Sequence, residues 1–300
     1  MASLKSIRKR IGSVKSTQKI TRAMKMVAGA RLTRAQQRIV ALRPFVQATS
    51  EVLYDVTAEL GGVAEGETGF IADNKPLHPL LVRREERRVL FVVLSSDRGL
   101  CGAFNTNICK EVERRWAEKR AANVEVHFAT VGKKAREWIQ RREGTVIHDF
   151  QKVYDNLDLL TVKAVSGWVV PRFLKGEYDA VYIVYNEFKS AITQQVTTKQ
   201  LFPIAAPEGW QDTFKEYTYE PDRRSVLEHL VPMYLDATML RSLYESQASE
   251  YGARMSAMDA ATRNAKEMIG KLSLVYNRAR QAGITGELME IVSGAEALKE

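Results

Sequence analysis

The sequence predicts a Rossmann-like α/β domain flanked by two long helices that pair as an antiparallel coiled coil. Two observations support this fold class. Apolar or small residues recur at spacings of three and four near both ends of the 300-residue chain, which is typical of helices with a coiled-coil seam. Between them, runs of β-branched and aromatic residues alternate with helical stretches, and this alternation predicts a largely parallel sheet.

The first long helix is predicted over residues 1–60. Its seam starts at Leu4, includes Ile7, Ile11 and Val14, and is apolar or small again from Ala28 through Leu32. A helix with such a seam needs a partner helix to bury it, because one apolar stripe is not stable in water.

The seam is interrupted in the middle of this helix. The positions that continue it carry the polar residues Gln18, Thr21 and Lys25. An apolar strip occupies another face instead and consists of Ile20, Ala23, Met24 and Val27. We expect the helix to change partner here or to contact two partners at once. The alternative is that the strip covers a third helix of the same chain.

The remaining segments follow in order. Residues 61–88 are rich in glycine and charge and are predicted to form a linker. The α/β domain is expected at 89–220, with strands in RVLFVVLSS, VEVHFATVG, TVIHDF and DAVYIVYNEF and a returning antiparallel strand in SAITQQVTTKQLFPI. A second long helix is predicted over 221–300. Its seam includes Met258, Ala261, Ala265, Met268, Leu272 and Val275.

Charge is distributed unevenly along the chain. The formal net charge is +9, yet residues 1–43 carry 12 Lys and Arg and no acidic residue, which leaves 33 basic and 36 acidic residues elsewhere. A basic segment of this kind favours an acidic partner, which is a nucleic acid, an anionic membrane or an acidic protein surface. The alternative is a solvated helix without a partner. No aromatic residue occurs in this segment, which favours a protein-binding rod over a nucleic-acid binder. The basic start also resembles a mitochondrial presequence, but its pattern continues too far.

No catalytic, cofactor or metal site is predicted. The segment VLFVVLSSDRGLCGAFNTNI has the strand–loop–helix layout of phosphate-binding loops, but its GLCG loop lacks GxGxxG and GxxxxGK[ST]. We therefore expect a turn in which Asp97 and Arg98 make structural hydrogen bonds. Cys101 and Cys109 lack metal-site spacing, and the four histidines are scattered singly.

Three long motifs identify a family resemblance. They are IRKRIGSVKSTQKITRAMKMVAGARL near the start, SSDRGLCGAFN after the first strand, and SEYGARMSAMDAATRNAKEMIGKLSLVYNRARQAGITGELMEIVSGAEAL at the end. With these motifs in this order, the chain resembles the gamma subunits of F-type ATP synthases over nearly its whole length. The resemblance implies a non-catalytic rotor shaft that couples proton flow to ATP chemistry on the beta subunits.

The resemblance also implies partners. The coiled coil, residues 1–60 and 221–293, would lie inside a ring of three alpha and three beta subunits. The α/β domain would contact an epsilon-type subunit and the membrane c-ring, on the cytoplasmic face of a bacterial inner membrane; a processed mitochondrial or chloroplast chain is the alternative. No nucleic acid is expected as a partner.

Particular residues gain roles from the same resemblance. An apolar, positively charged bearing surface would face an acidic loop of the beta subunit. It would consist of Ile20, Met24, Lys25 and Val27. A second group of residues, the catch residues, would contact one beta subunit at a time and release it on rotation. The group lies near the end of the chain and consists of Arg280, Gln281, Thr285 and Glu287. The alternative for this second group is that its side chains only cap or solvate the end of the helix.

Overall fold

The computed structural model describes residues 4–59, 78–204, 218–220 and 222–297. Its elements follow in chain order: α1 Leu4–Glu59, a 3₁₀ turn Pro79–Leu81, β1 Arg88–Leu94, α2 Phe104–Ala121, β2 Glu125–Val131, α3 Lys133–Gln140, β3 Val146–Phe150, α4 Leu159–Leu174, β4 Ala180–Phe188, β5 Gln194–Phe202 and α5 Arg223–Ala297.

The central domain contains a five-stranded sheet in the order β3-β2-β1-β4-β5. The first four strands run parallel, and β5 returns antiparallel to β4, as the sequence predicts. Each parallel connection contains a helix, because parallel neighbours cannot be joined by a tight turn. The predicted fold class, long terminal helices flanking an α/β domain, is confirmed.

Both faces of the sheet are covered. Side chains from alternate positions of β1 point to opposite faces, so Leu90 and Val92 belong to one apolar cluster and Phe91 and Val93 to the other. The first cluster includes side chains from α4, from the last described turns of α1 and from the first half of α5. The second includes side chains from α2 and α3. A strand buried on both faces explains the continuous apolar run RVLFVVL.

The end of β1 approaches the turn between β2 and α3 very closely. Gly132 has φ 94 and ψ 139, and a Cβ built on it would lie 2.2 Å from the carbonyl oxygen of Ser95. Ser95 itself bonds across the same junction, since its amide donates to Val131 and its hydroxyl accepts from the amide of Ala135. Only glycine fits this crossing of two backbones.

The segment predicted as a linker is partly packed. Residues 61–77 lie outside the described residues, but the 3₁₀ turn that follows is capped by His78, whose Nδ1 accepts from the amide of Leu80. The Leu80 side chain is buried in the first apolar cluster.

The chain divides into two compact units, residues 1–29 with 254–300 and residues 30–253. The second unit contains the sheet. In the first, α1 and α5 pair antiparallel, because residue numbers fall along α5 as they rise along α1 in successive contacts. The domain boundaries predicted from sequence stay predictions.

Candidate partner-binding surface

Polar residues of α1 contact α5 within the helical pair of the first unit. The hydroxyl oxygens of Thr21 and Thr262 are 2.8 Å apart, and Thr21 is only 8 % exposed. One turn further along α1, Lys25 Nζ lies 2.5 Å from Asp259 Oδ1. The seam therefore continues through the polar positions and does not leave this face.

Asp259 is held between two cations. Lys25 reaches one carboxylate oxygen and Arg263, one turn along α5, reaches the other. The hydrogen bond from Lys25, followed by the charge of Arg263, lowers the pKa of the Asp259 carboxyl below its ordinary value. The carboxylate is thus charged in the folded helical pair at neutral pH.

The apolar strip of α1 lies on a different face and is open to solvent. Ile20 is 60 % exposed and Val27 is 53 % exposed, while Met24 between them is half-buried. Met26, which the sequence reasoning passed over, is exposed as well. Ile20, Met24 and Val27 share one helix face by their spacing of four and three. Of the four predicted bearing residues, only Lys25 is held by an intrachain ion pair.

That the α1 seam faces α5 in the first unit stays a prediction, with which the burial of its residues is compatible. Ile7 is buried, and Ile11 and Val14 are half-buried. Leu32, in the second unit, is buried too.

On α5 the seam differs from the prediction in phase. Met258 and Ala265 are buried and Ala261 and Leu272 half-buried, but Met268 is 47 % and Val275 50 % exposed. Their neighbours Ile269 and Tyr276 are the half-buried residues. The seam in the structure steps from Met258 by four residues and then by three, to Ala265 and on to Ile269. The predicted seam steps by three residues and then by four. Adjacent residues are apolar at both corrected positions, so the sequence did not discriminate between the two phases.

The predicted catch residues lie near the end of α5. Arg280, Gln281, Thr285 and Glu287 are all exposed, and the Thr285 hydroxyl donates to the carbonyl of Gln281 within the helix. The pairing of Thr21 with Thr262 and of Lys25 with Asp259, continued along the helices, brings Leu4 level with about Arg280. Residues 281–297 thus extend beyond the first described residue of α1.

A second apolar stripe occupies this overhanging segment. Ile284, Leu288, Ile291 and Val292 recur at spacings of four, three and one, and each is more than half exposed. The sequence analysis predicted a partner contact in this segment only for the polar residues Arg280, Gln281, Thr285 and Glu287. A stripe at helical spacing that no described helix covers marks a surface for binding a partner.

The loop after β1 has the geometry of a structural turn. The amide of Lys133 donates to Asp97, the Ser96 hydroxyl donates to the carbonyl of Arg98, and Asn105 bonds Ser96 and Cys101. These side chains bond to neighbouring groups of the protein, which is typical of a structural turn.

Elsewhere the described residues contain no grouping of His, Cys, Asp and Glu suited to a metal ion. An open cleft of about 310 Å³ is lined by Arg83, Arg84, Glu86, Asp179, Ala180, Gln200 and Pro203. Its carboxylates have structural roles, because Glu86 pairs with Lys119 and Asp179 accepts from the amides of Arg87 and Arg88. A helix long and apolar enough to span a bilayer is absent from the described part of the chain.

Comparisons with known proteins agree over the full length. The family model described as ATP synthase matches residues 3–298. The ATP synthase gamma chain of Sorangium cellulosum is 54 % identical, and that of Geobacter metallireducens is 46 % identical, with all of both chains covered in each case.

Solved structures show the same architecture. A chain from the central stalk and c-ring of the Tetrahymena thermophila mitochondrial ATP synthase is 25 % identical, with a TM-score of 0.59 over 81 % of this chain and 99 % of that one. A chain from the Euglena gracilis mitochondrial ATP synthase, in its OSCP/F1/c-ring structure, is 19 % identical with a TM-score of 0.66, covering 98 % of this chain and 94 % of that one. At that identity the second likeness supports the fold alone.

Proposed function

Because the chain belongs to the ATP synthase gamma chain family, we propose that it is the central-stalk subunit that couples proton flow through the membrane ring to ATP synthesis or hydrolysis. It is a non-catalytic subunit, and ATP chemistry takes place on the beta subunits. Its task is to present a different face to each of three otherwise equivalent sites, so that rotation changes which site is open. The effect of the subunit on these sites is a coupling free energy between them.

The observation that carries this proposal is the exposed apolar strip on a helix segment without acidic residues. A strip of Ile20, Met24 and Val27 costs free energy in water and favours enclosure by a partner. The surrounding positive charge favours an acidic partner surface, and the lack of carboxylates removes repulsion. Lys25, half-exposed at the margin of the strip, remains a proposed contact although Asp259 holds its ammonium group.

We assign a second contact to the overhanging end of α5. Arg280 offers a planar guanidinium fork and Gln281 an amide, and both can bind a carboxylate or backbone group of one beta subunit and release it after rotation. Thr285 and Glu287 lie within two turns on the same exposed segment. The apolar stripe at Ile284 and Leu288 would be enclosed by the surrounding ring.

The proposed partners are three alpha and three beta subunits around the helical pair, with an epsilon-type subunit and the c-ring against the α/β domain. The chain is a peripheral subunit, associated with the membrane only through the complex. We place it on the cytoplasmic face of a bacterial inner membrane, since relatives of high identity are bacterial. Nothing in the fold or the comparisons favours the nucleic-acid alternative.

The test is co-expression with the alpha and beta subunits and measurement of assembly and ATP-driven coupling. Ile20→Asp and Val27→Asp should each weaken assembly roughly tenfold or more, because losing a buried aliphatic side chain costs about 1.5 to 3 kcal/mol. Desolvating a carboxylate against an acidic loop adds to that loss.

A matched control is Leu160→Asp, which introduces the same charge at a side chain that is 77 % exposed on α4. It should assemble and couple like the parent chain. If the two strip variants assemble and couple as well as Leu160→Asp does, the strip is not a partner contact.

A further inference from the structure

The polar contacts between α1 and α5 form one continuous layer. The Thr21 and Thr262 hydroxyl oxygens lie 2.8 Å apart, and each hydroxyl also lies within donating distance of a carbonyl of its own helix, Gln18 for Thr21 and Met258 for Thr262. One turn away, Lys25 and Asp259 pair across the same interface. Apolar residues flank the layer on both sides, with Ala28 and Met258 buried towards one end and Ala265 towards the other.

Such a layer adds little stability. Lys25 and Asp259 keep side-chain exposures of 44 % and 29 %, so solvent screens their attraction. Exchange of the two threonines for an apolar pair of the same shape would be nearly neutral, because buried hydrogen bonds mostly replace bonds to water. A contribution to the stability of the helical pair therefore does not explain this layer.

We infer that Thr21, Lys25, Thr262 and Asp259 set the register of the helical pair. The flanking seam discriminates poorly between registers, since adjacent apolar residues such as Met268 and Ile269 occur along α5. Polar residues at seam positions are the device that fixes register in coiled coils, because each alternative alignment leaves them unpaired.

A slip of one heptad in either direction mispairs the polar residues of the layer. Sliding α5 by one heptad in one direction places Lys266 opposite Lys25 and Ile269 opposite Thr21. The first pairing is repulsive and the second leaves a buried hydroxyl against an alkyl side chain. Sliding it in the other direction places Met255 opposite Thr21 and removes the carboxylate from Lys25. The polar layer therefore disfavours both slips.

Register matters because the two exposed surfaces of this unit lie on different helices. The strip belongs to α1 and the Arg280 segment to α5. A slip of one heptad would displace one surface against the other by about 10 Å, at ~1.5 Å per residue. The layer thus holds the two surfaces at a fixed axial offset.

The experiment measures register directly in the full chain, whatever the partner. Cysteines are introduced by Gly29→Cys and Met255→Cys, at positions where a Cβ on residue 29 lies 3.4 Å from Met255 Sδ. The yield of cross-linking by a short bifunctional thiol reagent, which does not require disulfide geometry, then reports the native alignment. The native Cys101 and Cys109 are buried, and single-cysteine variants correct for any side reaction.

In this background, Lys25→Glu and Asp259→Lys should each lower the cross-linking yield severalfold, and the combined charge swap should restore it to within twofold of the parent. Lys271→Glu is the matched control, because Lys271 pairs with Glu267 on the same helix and should leave the yield unchanged. The double variant Thr21→Val with Thr262→Val should lower the yield without lowering the melting temperature, which separates register from stability.

Tryptophan fluorescence of the α/β domain verifies that each variant is folded. If the charge reversals keep the parental yield, or if the swap fails to restore it, the ion pair does not set the register. If the valine pair keeps the parental yield, the threonines have no part in it.

Discussion

Replacement of Gly132 by alanine should severely destabilise the α/β domain. The residue has φ 94 and ψ 139, a region open almost only to glycine, and a non-glycine residue there costs about 1 to 3 kcal/mol. The new Cβ would also lie 2.2 Å from the Ser95 oxygen and 2.7 Å from its carbonyl carbon. These are backbone atoms at the end of a buried strand, and overpacking of this kind costs roughly a further 1 to 3 kcal/mol.

The combined penalty of about 2 to 6 kcal/mol corresponds to a melting temperature lower by roughly 5 to 20 °C for a domain of this size. Tryptophan fluorescence is a suitable probe, because Trp116, Trp138 and Trp168 all belong to the second unit. Gly176→Ala is the matched control, with φ 71 but only Arg84 Nη1 near the new Cβ, at 3.6 Å, an ordinary van der Waals distance.

The control should cost about 1 to 2 kcal/mol, the penalty of a left-handed conformation alone. A Gly132→Ala protein that melts no lower than Gly176→Ala would refute the reasoning, since it would mean that the strand end moves aside freely.

Three further outcomes are expected. Alanine at both Arg280 and Gln281 should lower cooperative, multisite ATP turnover of the assembled complex while assembly is retained, a loss of ~1 to 3 kcal/mol of coupling; unchanged turnover and coupling would exclude the catch. The pKa of Asp259 is lowered, so its pairing with Lys25 is complete above the ordinary aspartate pKa and is lost as pH falls through the lowered value. Asp259→Asn should therefore weaken the loss of helicity that circular dichroism measures as the pH is lowered. Burial raises the pKa of the Cys109 thiol to about 11, so at pH ~8 it should react with iodoacetamide only after unfolding, as mass spectrometry would detect.

Much of the fold followed from pattern alone. Strands such as β1 and β4 are continuous runs of β-branched and aromatic residues, and the seam of α1 is marked by residues spaced three and four apart. These signals are local, so one sequence is enough to detect them. The exposed strip at Ile20 was likewise predictable, because it lies off the seam.

The register of α1 against α5 was not predictable in the same way. Lys25 was expected to face a partner, and Asp259, more than 230 residues away in sequence, gave no local sign of pairing with it. At Met268 and Val275 the choice between two seam phases depended on neighbours that are equally apolar. Contacts of this kind are decided by tertiary pairing, which a local pattern does not contain.

The overhang of α5 beyond Leu4 has a mechanical consequence. Where two helices run side by side, each resists bending of the other, and from about Gln281 onward α5 lies beyond the described residues of α1. That segment also contains Gly283, Gly286 and Gly294, each with open space around its Cβ position and each weakening the helix by about 1 kcal/mol relative to alanine. This end of α5 should therefore bend more easily than the paired part of the helix. A protein partner that encloses it closely would restrict that bending.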